Sequence, residues 1–204
     1  MTSGESWAET ATRASIFLKL KQSDSAPREL AWKQFYEHYA PVISSYAYRK
    51  GATKQQADEV VQDVICGFFE ASPRFVYDPS RGRFRGYLMT CVARALSRKN
   101  AARSRGSTVS VDQVEISDDR DEELWEKLWQ QQMLRRAMAI VREQYLHKGK
   151  LQTFLAFEQN VVLGVSAPDT AKQLGVNVAS VHAAKTRVTE KLREVRAMLH
   201  DEEG

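Results

Sequence analysis

Cysteine is scarce in this chain. Cys66 and Cys91 stand alone among 204 residues, and neither belongs to a Cys-x-x-Cys pair. A disulfide framework or a zinc site is therefore not expected, and a reducing cytoplasm is the expected compartment. His38, His147, His182 and His200 are too scattered to suggest ligand spacing, so neither a metal nor a cofactor is expected. No apolar run approaches the roughly 18 residues of a membrane span. The stretch from Met1 to Glu9 has no basic segment leading into an apolar one, so no secretory signal is expected. Convincing period-two alternation is missing as well, and no internal repeat occurs. What remains is an all-α chain, long enough for one domain or two small ones.

Charge is present in quantity but unevenly placed. The net +4 resolves into +7 over residues 1–106, −6 over residues 107–132 and +3 over residues 133–204. Two basic blocks around an acidic, Ser/Asp-rich stretch suggest two polyanion-binding domains on a linker.

The helical pattern is legible along most of the chain. Residues 7–21 can form a short helix with Ile16, Phe17 and Leu20 on one side. Residues 28–50 carry Trp32, Phe35, Tyr36, Tyr39, Ile43, Tyr46 and Ala47 at helical spacing, with a kink predicted at Pro41. Thr53-Lys54-Gln55-Gln56 has the form of a capping box. The helix it opens has the stripe Ala57, Val60, Val61, Val64, Ile65, Phe68 and Phe69. Asp58, Glu59, Gln62, Asp63 and Glu70 lie away from the stripe's centre, a face that by itself reads as solvated.

Residues 74–105 are the most unusual in composition, with nine Lys/Arg against the single acid Asp78. Phe75, Tyr77, Phe84 and Tyr87 are interleaved near the start. Asp78-Pro79-Ser80-Arg81-Gly82 reads as a loop, and a helix resumes at Phe84 with Leu88, Cys91, Val92, Ala95 and Leu96 on its apolar side. Such cationic density is costly self-repulsion unless an anion sits nearby. Exposed rings can also stack unpaired bases at about 1–3 kcal/mol each, so nucleic acid is the favoured partner, although some of these rings fill a core.

Residues 106–121 read as a flexible acidic linker. Beyond it a helical pattern runs through Leu124, Leu128, Leu134, Ala137, Met138, Val141 and Tyr145, and Leu151, Phe154, Leu155 and Val162 supply a further apolar face. The segment from Ser166 to Leu199 reads as a short helix, a tight turn and a long helix. Gly175 gives the turn its backbone freedom, Ala171 lets the helices cross closely, and Asn177 is the N-cap of the second helix. Val181, Val188, Leu192, Val195 and Leu199 form its buried stripe. Ser180, His182, Ala183, Thr186 and Arg187 lie on or beside the opposite face, with Lys185 and Lys191 on the flanks. Small polar tips between basic flanks suit a helix entering the major groove.

Taken together, these motifs resemble the bacterial RNA polymerase sigma factors of the sigma-70 family, in particular the two-domain extracytoplasmic-function (ECF) subgroup. Phe35-Tyr36 with Tyr39-Ala40-Pro41-Val42 is similar to the first helix of sigma region two. Ala57-Asp58-Glu59-Val60-Val61-Gln62-Asp63-Val64 resembles that region's acidic hallmark. Tyr77-Asp78-Pro79 through Arg83-Phe84-Arg85-Gly86-Tyr87-Leu88 resembles the entry to the promoter-melting helix. Leu174-Gly175-Val176-Asn177-Val178-Ala179-Ser180-Val181, with Ala184-Lys185-Thr186-Arg187-Val188, resembles the region-four helix-turn-helix. The likeness spans residues 12–199, with the motifs in the family's order.

The resemblance implies an N-terminal extension at 1–27, a region-two domain at 28–105, a linker at 106–121 and a region-four domain at 122–200. By this likeness Asp58, Glu59, Gln62 and Asp63 grip the β′ clamp helices of core polymerase, and the β flap receives region four. Phe75, Arg81, Arg83, Arg85, Tyr87, Arg94, Arg98 and Lys99 read and melt the minus-ten element. Ser180, His182, Ala183, Lys185, Thr186 and Arg187 read the minus-thirty-five element. Promoter DNA is then the second partner, an anti-sigma factor restrains many members, and no membrane is involved. Tyr87 stands where members usually have Trp, and the frequent Asn and Asp further along that helix are replaced around Arg94 to Arg98, so base preference is not carried over. Two other readings stay open: a stand-alone helix-turn-helix regulator, and a nuclease with Asp58, Glu59 and Asp63 as metal ligands. The nuclease lacks a convergent His or Lys.

Overall fold

A computed structural model describes residues 25–75, 84–103 and 119–203, and among these the chain is all-α with no strand. Its helices are α1 (Ser25–Arg49), α2 (Lys54–Ala71), α3 (Phe84–Arg103), α4 (Asp119–His147), α5 (Leu151–Phe157), α6 (Ala167–Leu174) and α7 (Val178–Glu203). A π-helical turn, Glu158–Val162, follows α5. The short helix expected at 7–21, the loop at 78–82 and most of the linker at 106–121 lie outside the described residues. Contacts divide the chain into two units, between Gln132 and Met133.

The first unit is an aromatic bundle. From α1 the buried residues Ala31, Phe35, Tyr39, Val42, Ile43, Tyr46 and Ala47 recur at three- and four-residue intervals. Phe35 stacks on Phe68 of α2 at 4.7 Å, with the rings 8° from parallel, and Phe84 of α3 meets both rings edge-on. Pro41 does not end α1. It removes one backbone hydrogen bond, but Tyr39, Ala40, Val42 and Ile43 around it are all buried, so packing holds the helix through the gap.

Gly51, at φ +87°, turns the chain out of α1. The predicted capping box then forms: the Gln56 amide donates to Thr53 Oγ1 at 3.3 Å and the Thr53 amide donates to Gln56 Oε1 at 2.8 Å. The α2 stripe is buried as expected at Ala57, Val60, Val61, Val64 and Phe68. Phe69 departs from it. The ring is 45% exposed, packed against Trp32 and covered by the Arg28 guanidinium at 5.1 Å.

The acidic stretch turns out to be helical from Asp119, and its first turns belong to the first unit. Trp125 meets Tyr46 edge-on at 5.3 Å, and Trp129 lies 5.7 Å from Tyr39. Asp121 pairs with Lys50 at 2.8 Å and Glu126 with Arg85 at 3.1 Å. The units therefore divide eleven residues later than the 121/122 boundary expected from composition. The physical reason is that Trp125, Leu128, Trp129, Met133, Ala137 and Val141 form one buried row at three- and four-residue spacing. Leu134, assigned to the apolar face by sequence, is 50% exposed.

In the second unit, α6 opens on Ser166, whose Oγ accepts from the Asp169 amide at 3.2 Å, and closes on Gly175 at φ +65°. Gln152 on α5 donates to the Leu174 carbonyl at 2.7 Å, which satisfies one of the last acceptors of α6. Asn177 caps α7 as predicted, its Oδ1 accepting from the Ser180 amide at 2.7 Å. Ala171, Val181, Ala184, Val188, Leu192, Val195 and Leu199 are buried.

Truncating Trp125 to Ala should lower the stability of the first unit by about 3 kcal/mol, as for other large-to-small core changes. Urea unfolding followed by circular dichroism, with amide exchange along α1, measures it. Unchanged protection at residues 39–47 would mean that α4 only rests on this unit.

Candidate functional surfaces

Three surfaces gather the residues singled out by sequence. The first is the polar side of α2. With its apolar stripe spent on the core, Asp58, Gln62 and Asp63 remain exposed and Glu59 half-buried. Lys99, on α3, reaches across and binds two of these acids, Glu59 Oε2 at 3.0 Å and Asp63 Oδ2 at 3.1 Å. The hydrogen bond from Lys99 holds the Glu59 carboxyl below the usual carboxylate range, helped by the Gln55 amide. The same bond to Glu59 raises the Lys99 ammonium above its ordinary value, against the pull of partial burial, with Asp63 adding to the rise. Lys99 thus sits against the acidic surface. Sequence grouped it with the DNA-facing cations, because spacing along α3 does not reveal a partner forty residues away.

The second surface runs along α3. Tyr87, Cys91, Arg94 and Arg98 follow at four-, three- and four-residue intervals, which puts them on one side of the helix. Tyr87 is 41% exposed, its ring 5.4 Å from Phe75 and 6.4 Å from Phe68. Burial, then the Cys91 thiolate, push the tyrosine up to about 12, while Arg94 pulls the other way. Burial raises Cys91, opposed by the Tyr87 hydrogen bond and by Arg94 and Arg98. A ring with an open face beside two exposed guanidinium groups is chemistry suited to an unstacked base and its phosphates. Arg85 is held otherwise, 18% exposed and bound to Glu126. Arg81 and Arg83 lie outside the described residues.

The third surface is the outer side of α7. Ser180, His182, Lys185, Thr186 and Arg187 are exposed and Ala183 half-buried, opposite Val181, Val188 and Leu192. The Thr186 hydroxyl donates to the His182 carbonyl at 3.3 Å, leaving its methyl and oxygen near the helix surface. Sequence reasoning missed Trp125 and Trp129, which pack on Tyr46 and Tyr39 of α1. Their four-residue spacing was the available signal.

Residues 35–106 match the family model of sigma-70 region 2, about a third of the chain, taking in most of α1 with α2 and α3. No curated protein and no solved structure matches the chain. The match supports a member of the sigma-70 family, whose region 2 is a non-enzymatic module of transcription initiation.

The Lys99 bridge has a defined pH window. Glu59 is depressed, so its contribution is lost as pH falls through that lowered value. Lys99 is raised, so its contribution is lost only as pH rises through that raised value, and the bridge is intact across neutrality. In Lys99→Met the Glu59 carboxyl should titrate higher than in the wild type, with the Gln55 amide still holding part of the shift, as read by the NMR shift of its carboxyl carbon. An unaltered titration would show that Lys99 does not hold it.

Proposed function

We propose that the chain is a sigma factor of the ECF type, which binds core RNA polymerase and directs it to specific promoters. The match of residues 35–106 to sigma-70 region 2 carries this reading. The exposed acids of α2 and the aromatic-cationic side of α3 support it, since they supply a protein-docking face and a single-strand face on one bundle. In this reading Asp58, Gln62 and Asp63, with Glu59, dock the β′ clamp helices. Tyr87 and Phe75, with Arg94 and Arg98, hold the separated minus-ten strand, and Arg81 and Arg83 add phosphate contacts; Arg85 and Lys99 would add theirs only by giving up their carboxylate partners.

The α6–turn–α7 hairpin acts as the helix-turn-helix for the minus-thirty-five element, through Ser180, His182, Ala183, Lys185, Thr186 and Arg187, with the β flap supporting it. An anti-sigma factor is a further partner of this reading, and the cytoplasm, where polymerase and chromosome are, is its compartment. The region-two domain at 28–105 would take in the first turns of α4 as well, and the region-four domain is carried by residues up to 200.

The chemistry asked of the chain is address and strand separation; nucleotidyl transfer belongs to the polymerase. Phosphate contacts give affinity and register. Base contacts from α7 add discrimination on the order of 1–3 kcal/mol for each good bidentate pair. Unstacking costs a few kcal/mol per base and is offset by a fitted pocket, as in base flipping. Tethering the two readers raises effective concentration without new contacts. A stand-alone regulator would use the same hairpin but has no need of the α2 acids. The expectation that no Lys converges on the nuclease's acids does not hold, since Lys99 reaches both Glu59 and Asp63; it meets them as an ion-pair partner that answers their charge, which favours the docking reading over a nuclease.

The double variant Asp58→Ala, Asp63→Ala should bind purified core enzyme about tenfold more weakly or worse. Retained binding with normal promoter use would favour the stand-alone regulator. Exchanging Ser180, His182, Ala183 and Thr186 for another sigma factor's residues should redirect upstream-element choice in transcription with core enzyme while core affinity stays unchanged. Lost core affinity would assign α7 to the wrong task.

A further inference from the structure

The second unit contains a cavity of about 350 Å³ formed by the end of α4, the start of α5 and the middle of α7. Lys148, Lys150, Arg187 and Lys191 line it, together with the hydroxyl-bearing Tyr145 and Thr153, and no carboxylate does. Among the described residues Lys148, Lys150 and Arg187 have no carboxylate partner, whereas Lys191 is bound by Glu194 at 2.7 Å. Three uncompensated cations around one concavity repel one another and raise the potential inside it. The size falls within the range of small-ligand sites, roughly 300–1,000 Å³. A single phosphodiester carries one negative charge and would leave most of this field unanswered. An oligophosphate carries several, and its oxygens match the ammonium, guanidinium and hydroxyl donors arranged here.

We propose that this cavity binds an oligophosphate group, of the kind found in pyrophosphate and nucleoside polyphosphates. The site is distinct from the promoter-reading surface of α7 except at Arg187, which borders both. Occupation would therefore engage Arg187, which the proposed function assigns to the minus-thirty-five element, so the ligand and DNA oppose each other in the second unit.

The test uses the full chain and needs neither polymerase nor promoter, so its failure is separable from failure of the sigma-factor reading. Inorganic pyrophosphate and a nucleoside triphosphate are titrated calorimetrically at low salt into wild type, Lys148→Gln/Lys150→Gln and the exposed control Lys172→Gln. Circular dichroism verifies the helix content of each. Expected is saturable binding whose dissociation constant rises at least about tenfold in the double variant, as for lost charge-assisted hydrogen bonds, and is unchanged in the control. A duplex oligonucleotide titrated into the same proteins supplies the other source of phosphate. Weakened duplex binding in the double variant without any pyrophosphate binding would reduce the cavity to a backbone contact and overturn the proposal. Equal pyrophosphate binding by wild type and double variant would overturn it as well.

Discussion

The parallel contact of Phe35 on Phe68 is the constraint from which the first unit follows. Both rings are almost fully buried, and Phe84, Tyr39 and Phe75 pack around them, so α1, α2 and α3 share one aromatic centre. A helix that commits one side to such a centre has its other sides fixed in direction. The acids of α2 and the cations of α3 are outward because the main apolar stripes of the same helices are turned to that centre. Tyr87 occupies the margin, its ring packed on Phe75 and Phe68 on one side and open on the other. Its exposure is thereby pre-organised, and a base stacking on it would find a ring already held.

Electrostatics arranges the remaining surface. The acidic block and the basic block are adjacent in sequence and partly neutralise each other in space, through Asp121 on Lys50 and Glu126 on Arg85. Lys99 does the same within the basic block by joining Glu59 and Asp63. The pairs are partly exposed, so each contributes little to stability. Their effect is on which charges are left over. Arg94 and Arg98 remain outward on the side that bears Tyr87, while Arg85 and Lys99 are engaged.

Sequence periodicity was sufficient for the helices and for most of the core. It located the capping box at Thr53, the stripe of α2, the resumption at Phe84 and the short-turn-long arrangement that closes the second unit. It went astray where composition and packing disagree. Asp119 to Asp121 reads by composition as the end of a solvated linker, yet it opens the helix whose Trp125 and Trp129 pack on the first unit, with Asp121 and Glu126 finding cationic partners. Phe69 and Leu134 fit their stripes by spacing but are exposed, because spacing does not say where the packed surface of a neighbouring helix ends. Pairings such as Lys99 with Glu59 depend on how two helices cross, which no one-dimensional period records. Lys148 and Lys150 were hidden for a simpler reason. They flank Gly149 at a helix end, where basic residues are common, and only the fold brings them to Arg187 and Lys191.

The course of α4 bears on how the chain can be taken apart. Its early turns supply two tryptophans to the first unit, and its later turns carry Ala137 and Val141 into the second. A fragment ending at residue 121 would keep the residues matched to region 2 but leave Tyr39 and Tyr46 facing water where Trp129 and Trp125 should lie. A fragment starting at residue 122 would in turn present those tryptophans as a greasy, unpartnered stub. The natural cut is after Gln132, in the middle of a helix, so dissection at the apparent linker would yield two pieces that aggregate for reasons unrelated to either one's function.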